Sequence, residues 1–131
     1  MQKTIIADTS CLILLDKIGE IEILKSLFGT IIITPIIAIE FGQPLPTWII
    51  VRDAQNKNYQ NILQTLVDKG EASAIALAVE QTDCLLILDD RKARKLANEL
   101  GLKYTGTIGI LIDAKQSGAI KSMPQVLSKI K

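Results

Sequence analysis

Acidic side chains dominate the chemistry open to this chain of 131 residues. Asp8 closes a short apolar run, Thr4-Ile5-Ile6-Ala7, and Glu40, Glu71 and the pair Asp89-Asp90 stand at similar structural boundaries further on. Histidine is absent. That excludes a Ser–His triad, a histidine-activated cysteine and any imidazole metal site. Carboxylate, lysine and hydroxyl chemistry remains, and carboxylates select hard cations such as magnesium or manganese. Two carboxylates about 4 Å apart repel by roughly 4 kcal/mol at an effective dielectric of about 20. Three or four in one pocket therefore need a divalent cation, or a proton on one of them. Acids gathered around such an ion suit phosphoryl transfer, because the ion activates water and stabilises the charge that develops on oxygen.

The elements that must position these acids alternate between strand and helix. Thr4–Ala7 reads as a buried strand, and Cys11, Leu12, Leu14, Leu15 and Ile18 follow at helical spacing. Glu20–Phe28 reads as a second helix ended by Gly29, and Thr30–Thr34 as a second buried strand. Thr34 is the expected N-cap of a helix that starts with Pro35. After a loop over residues 42–47, Trp48–Val51 reads as an edge strand. Helices are expected over Gln55–Val67 and Glu71–Gln81, then a strand over Leu85–Leu88 and a helix over Arg91–Leu100. A short strand at Lys103–Thr105, a helix at Thr107–Gln116, a turn between Gly118 and Pro124 and a last helical segment at Gln125–Ile130 complete the pattern. The fold class is α/β with a mostly parallel central sheet, in one domain over residues 1–131.

In such sheets ligands bind outside the carboxyl ends of the strands. Asp8 follows the first strand, Asp89 and Asp90 follow Leu85–Leu88, and Glu71 lies in the first turn of a crossover helix, so all four face that edge. Glu40 falls on the same helical face as Ile36 and Ile37, where a charge needs a reason. Each acid also has a simpler reading. Asp8, Asp89 or Asp90 can cap a helix, Glu71 can favour a helix dipole, and Glu40 can pair with a lysine.

Composition limits what else the chain can do. Hydrophobic residues make up 48%, enough for a core, and the net charge of +1 argues against a protein that coats nucleic acid. Positive charge is concentrated in the second half, above all in Arg91, Lys92, Arg94 and Lys95, which suit phosphate binding or a solvated helix face. Ser10 and Thr107 are hydroxyls beside the acids, with Thr107 read as a helix N-cap after a tight turn. Aromatic residues are only 4%, so an aromatic base-stacking platform is not expected. Cys11 and Cys84 lie in apolar stretches and read as small buried hydrophobes, in keeping with a reducing cytoplasm. The apolar runs are too short to span a membrane, and a secretory pattern is not expected, since Asp8 interrupts the early apolar run.

These pieces together resemble the PIN-domain family, in particular the small prokaryotic PIN proteins that include VapC-type toxin ribonucleases. They are Ile6-Ala7-Asp8-Thr9-Ser10, Thr34-Pro35 leading to Glu40, Gly70-Glu71-Ala72-Ser73-Ala74-Ile75 and Leu88-Asp89-Asp90-Arg91-Lys92-Ala93-Arg94, with the Gly106-Thr107-Ile108-Gly109 turn followed by Ala114-Lys115 and Gly118. The resemblance covers nearly the whole chain. It implies a three-layer α/β/α sandwich and a magnesium- or manganese-dependent ribonuclease. The implied catalytic and metal-binding acids are Asp8, Glu40, Glu71 and Asp90, with Asp89 able to take or share the last role. Ser10 and Thr107, read from the residues themselves, are the hydroxyls expected to bind a metal-bound water or a phosphate beside them. RNA as substrate, a homodimer and a small antitoxin protein as partner are further implications. Two other classes use similar features: a non-catalytic RNA- or protein-binding module of the same fold, and a phospho-receiver domain. Thr34-Pro35 at the end of the second strand argues against the receiver, which needs a phosphate-accepting aspartate after a central strand.

Overall fold

Short segments, most of them rich in isoleucine or leucine and each followed by a helix, build a parallel sheet whose carboxyl edge carries the acids. The structure, a computed structural model, describes residues 3–118. In chain order the elements are β1 (Thr4–Ala7), α1 (Thr9–Lys17), α2 (Glu22–Phe28), β2 (Ile31–Ile33), α3 (Pro35–Phe41), β3 (Ile49–Val51), α4 (Lys57–Leu63), α5 (Lys69–Val79), β4 (Cys84–Ile87), α6 (Arg91–Glu99), β5 (Lys103–Thr105) and α7 (Thr107–Ser117). The five strands are ordered β3-β2-β1-β4-β5 and every pairing is parallel. With helices on both faces this is the expected three-layer α/β/α sandwich.

The strand order reverses between β1 and β4. There the chain leaves β1 toward β2 on one side and returns by α4 and α5 to β4 on the other. The crevice outside the carboxyl ends at such a switch point is the natural ligand site of an open α/β sheet. The core beneath it is built from Ile5, Ile6, Ile31, Ile33, Leu86 and Ile87 of the strands, all buried, with Leu12, Leu15, Ile37, Ile75 and Ile110 from the helices. Helix α5 has alanine, glycine or serine at most positions, and every residue from Gly70 to Ala78 is buried. Small side chains allow the close approach of α3, α4 and β4 that its contacts require.

Several boundaries differ from expectation for local reasons. Helix α4 stops at Leu63, and Ile62 and Leu66 are exposed rather than core. Helix α5 begins two residues before Glu71, because Asp68 caps it. Gly106, not Thr107, occupies the N-cap position of α7. Thr34 caps α3 as expected, its hydroxyl accepting from Ile37 N at 3.3 Å. Gly118 closes α7 with a left-handed φ of 84°, a conformation that favours glycine. The turn to Pro124 and the Gln125–Ile130 helix lie outside the described residues.

One buried polar chain ties the two helices that flank the switch point. Ser73 Oγ donates to Gly70 O at 2.7 Å, so its single proton is used. The 2.6 Å contact between Thr34 Oγ1 and Ser73 Oγ must then have Thr34 as donor. The start of α3 is thereby stitched to the first turn of α5. Ser73→Ala leaves the buried Thr34 hydroxyl proton without an acceptor, which should cost about 1–3 kcal/mol. Urea unfolding should show a lower midpoint with an unchanged slope.

Candidate active site

Asp8 leaves β1 with its backbone N–H still in the sheet, donating to Ile87 O at 3.1 Å. Its side chain then turns to cap α1, accepting from Thr9 N at 2.7 Å. The capping role and a place in the site are thus compatible, and Asp8 is only 3% exposed. Burial pushes its carboxyl up to about 7; the Thr9 N–H opposes this, while the charges of Asp68, Glu40 and Asp89 add to it.

Glu71 is the third residue of α5 and is 5% exposed. It forms a reciprocal capping box with Asp68: Glu71 N donates to Asp68 Oδ1 at 2.9 Å, and Asp68 N donates to Glu71 Oε1 at 3.3 Å. Burial pushes Glu71 up to about 7 as well, with further repulsion from Asp68, Asp8 and Asp90. Glu71 therefore feels the charge of Asp8, and Asp68 acts on both. Sequence reasoning misses Asp68. The Asp-Lys-Gly-Glu spacing of residues 68–71 is the signal that marks it, an N-cap acid three places before a glutamate.

Glu40 is exposed, which corrects the expectation of a charge on an apolar helix face. It still reaches the site: Thr9 Oγ1 donates to Glu40 Oε1 at 2.6 Å, one residue from Asp8. Sequence reasoning misses Thr9 too. The neighbouring hydroxyl expected to matter, Ser10, is exposed in the first turn of α1.

The aspartate pair divides its work. Asp90 caps α6, with Oδ2 accepting from Ala93 N at 3.0 Å. Both oxygens of Asp89 bind Thr107, whose N–H donates to Oδ1 at 2.7 Å and whose hydroxyl donates to Oδ2 at 2.5 Å. Thr107 thus does not cap its own helix; Asp89 caps it from a distance. The charge of Asp89 adds to the upward push on Asp8, and that of Asp90 to the push on Glu71.

The cations of α6 line neighbouring grooves, and Lys92 and Lys95 share one of them with Leu66, Val67, Leu96 and Glu99. Arg91, Arg94 and Lys95 line another of about 490 Å³ with Asp89 and Tyr104. Lys92 also lines one of about 310 Å³ with Asp68, Glu71 and Asp90. Arg94 is the most constrained: its Nε donates to Leu88 O at 2.7 Å and its guanidinium lies 5.5 Å from the Tyr104 ring centre. Among the described residues no carboxylate forms an ion pair within 4.0 Å with any of these four cations. Cys11 and Cys84 are buried free thiols, pushed up to about 12 by burial, and are inert core groups.

A family model described as a PIN domain matches residues 4–131. The chain belongs to the PIN-domain family. No curated protein matches it. PIN domains are in general nucleases that use divalent metals, so this PIN domain has a nuclease-type fold. Among the described residues no helix is long and apolar enough to cross a membrane.

The donor set of this PIN domain fits a hard cation in one specific sense. Among the described residues, no three acidic or cysteine side chains are gathered closely enough to cage a metal. Magnesium does not require such a cage; it keeps several waters and takes one or two carboxylates plus phosphate oxygens. All candidate donors are oxygens, and two are buried acids destabilised by their neighbours' charge.

Those two acids make stability depend on pH. Their folded-state values lie above the ordinary carboxylate range, so the folded protein binds more protons than the unfolded chain between about pH 4 and 7. Their contribution to stability is full below that window and is lost as pH rises through 7. Thermal unfolding in chelator should show Asp8→Asn with a flatter decline across this window than the unaltered protein. Parallel curves would contradict the assignment.

Proposed function

We propose that this chain is an endoribonuclease, dependent on magnesium or manganese, that hydrolyses RNA phosphodiester bonds in the crevice between β1 and β4. Asp8, Glu40, Glu71 and Asp90 would hold the cation, one or two of them directly and the others through its waters. When bound, the ion supplies a Lewis acid for the scissile phosphate and its attacking water. The chain's own residues do the rest. Thr9 orients Glu40, Asp68 orients Glu71, and Thr107 holds Asp89, leaving Asp90 the freer acid of the pair. Thr107, bound to Asp89, and Ser10, two residues after Asp8 in the first turn of α1, are the hydroxyls assigned to support this set.

The observation that carries this reading is the pair of buried acids, Asp8 and Glu71, on separate elements at the switch point of the sheet, each raised by burial and by other acids. A fold does not retain such a pair for stability, since apolar side chains would serve better. A cation removes the penalty.

Arg91, Arg94 and Lys95 bind phosphates of the RNA on the β5 side, and Lys92 binds one on the Glu71 side. Unpaired cations flanking an acidic centre attract the strand while leaving the cutting point to the metal. The reading extends to the toxin of a toxin–antitoxin pair, working in the cytoplasm as a homodimer restrained by a small antitoxin protein. Its support is the sequence resemblance to VapC-type PIN proteins. Growth arrest on expression, relieved by a neighbouring gene's product, is the test of that extension.

Purified protein should cleave single-stranded RNA with manganese and stop in chelator. Asp8→Asn and Glu71→Gln should each lower the rate by about 100-fold or more. Cleavage that persists in chelator would refute the proposal. Failure to cleave, with no thermal stabilisation by manganese, would instead favour the non-catalytic binding module.

The phosphate contacts are separable from the chemistry. Arg91→Ala with Lys95→Ala should weaken RNA binding and reduce the slope of log affinity against log salt by about 0.7 for each phosphate no longer neutralised. Manganese affinity should stay unchanged in that variant. An unaltered salt slope would place the strand elsewhere.

A further inference from the structure

Gly70 is the second residue of α5, flanked by the cap Asp68 and by Glu71. It is buried, yet its backbone is helical, so no unusual φ explains a glycine there. Glycine in a helix is disfavoured relative to alanine. The reason for its presence is what an added Cβ would meet. Its three nearest neighbours would be Oε1, Cδ and Oε2 of Glu40, with Oε1 in overlap and Cδ at 3.2 Å. Outside its own helix, no other residue's atom comes as near. Glu40 therefore passes directly over the first turn of α5, through space that only glycine leaves open.

The same Oε1 accepts from Thr9 Oγ1 at 2.6 Å. The carboxylate is thus confined between the start of α1, where Asp8 caps, and the start of α5, where Glu71 lies. The hydroxyl chain from Thr34 through Ser73 to Gly70 O fixes the floor of this slot, since it locks α3, which carries Glu40, to the first turn of α5.

We infer that Gly70 is a positioning residue, whose missing side chain holds the Glu40 carboxylate beside Asp8. It acts through Glu40 and touches no substrate. The inference rests on the reading of the acids as a metal-dependent site, and it deepens that reading by assigning a residue that contributes no polar side-chain atom.

The test uses the full chain as the unaltered protein, Gly70→Ala, Glu40→Gln and the double variant. Manganese affinity is read by electron paramagnetic resonance titration, beside thermal unfolding in chelator. Gly70→Ala should unfold at a temperature no lower than the unaltered protein, because alanine is the better helix former. It should nevertheless weaken manganese binding by about tenfold. The double variant should bind no more weakly than Glu40→Gln alone, because both changes act on one carboxylate. Wild-type affinity in Gly70→Ala, or losses that add in the double variant, would overturn the inference. Should Gly70→Ala fail to fold, recovery of folding in Gly70→Ala with Glu40→Ala would uphold the contact, and no recovery would overturn it. If manganese affinities follow this pattern while RNA stays intact with the unaltered protein, the nuclease reading falls and the positioning role stands.

Discussion

A carboxylate removed from water must keep its proton or find a positive charge. Asp8 and Glu71 are both in that position, and each has other acids as close neighbours. Desolvation is the larger cause of the shift for both, with repulsion added to it. Burial alone would give two protonated, inactive acids. Burial among other acids adds a second demand, which a divalent cation would meet by replacing several protons at once. The remainder of the site serves this constraint: caps and hydroxyls hold each acid in place without neutralising it.

Topology explains how acids distant in sequence share that pocket. β1 and β4 pair over Thr4–Ala7 and Cys84–Ile87, in register, so their following residues emerge side by side. The strand order reverses here, which leaves the crevice open. Helix α5 returns from the far side of the sheet and places its first turn over the same opening. Three of the acids also serve as helix caps or capping partners. Asp8, Asp90 and Glu71 complete backbone hydrogen bonds at the starts of α1, α6 and α5, so their positions are tied to those helices.

Much of this is legible in the amino-acid sequence. Isoleucine runs punctuated by glycine and Thr-Pro mark the strands, and the carboxyl-edge rule places Asp8, Glu71 and the Asp89-Asp90 pair together. What is not legible depends on contacts between segments. Glu40 stands out in the sequence for its apolar neighbours, Ile36 and Ile37, yet it is exposed, and Thr9 is what directs it inward. Asp68 escapes notice because one acid three residues before another reads as an ordinary helix start. Sequence does not separate the tasks of Asp89 and Asp90, because only the fold brings Thr107 within reach of the first. The exposure of Ile62 and Leu66 likewise reflects where α4 ends, which periodicity does not set.

Helix α6 begins at Asp90 and carries Arg91, Arg94 and Lys95 within its first turn and a half. Acid and cations therefore belong to one rigid body, and Arg94 is anchored a second time through Leu88 O at the end of β4. If the proposed nuclease reading holds, the grip on the strand and the point of scission would be unable to drift apart. The helix would then act as a ruler, setting how far from the held phosphate the break occurs, whichever bases the RNA presents.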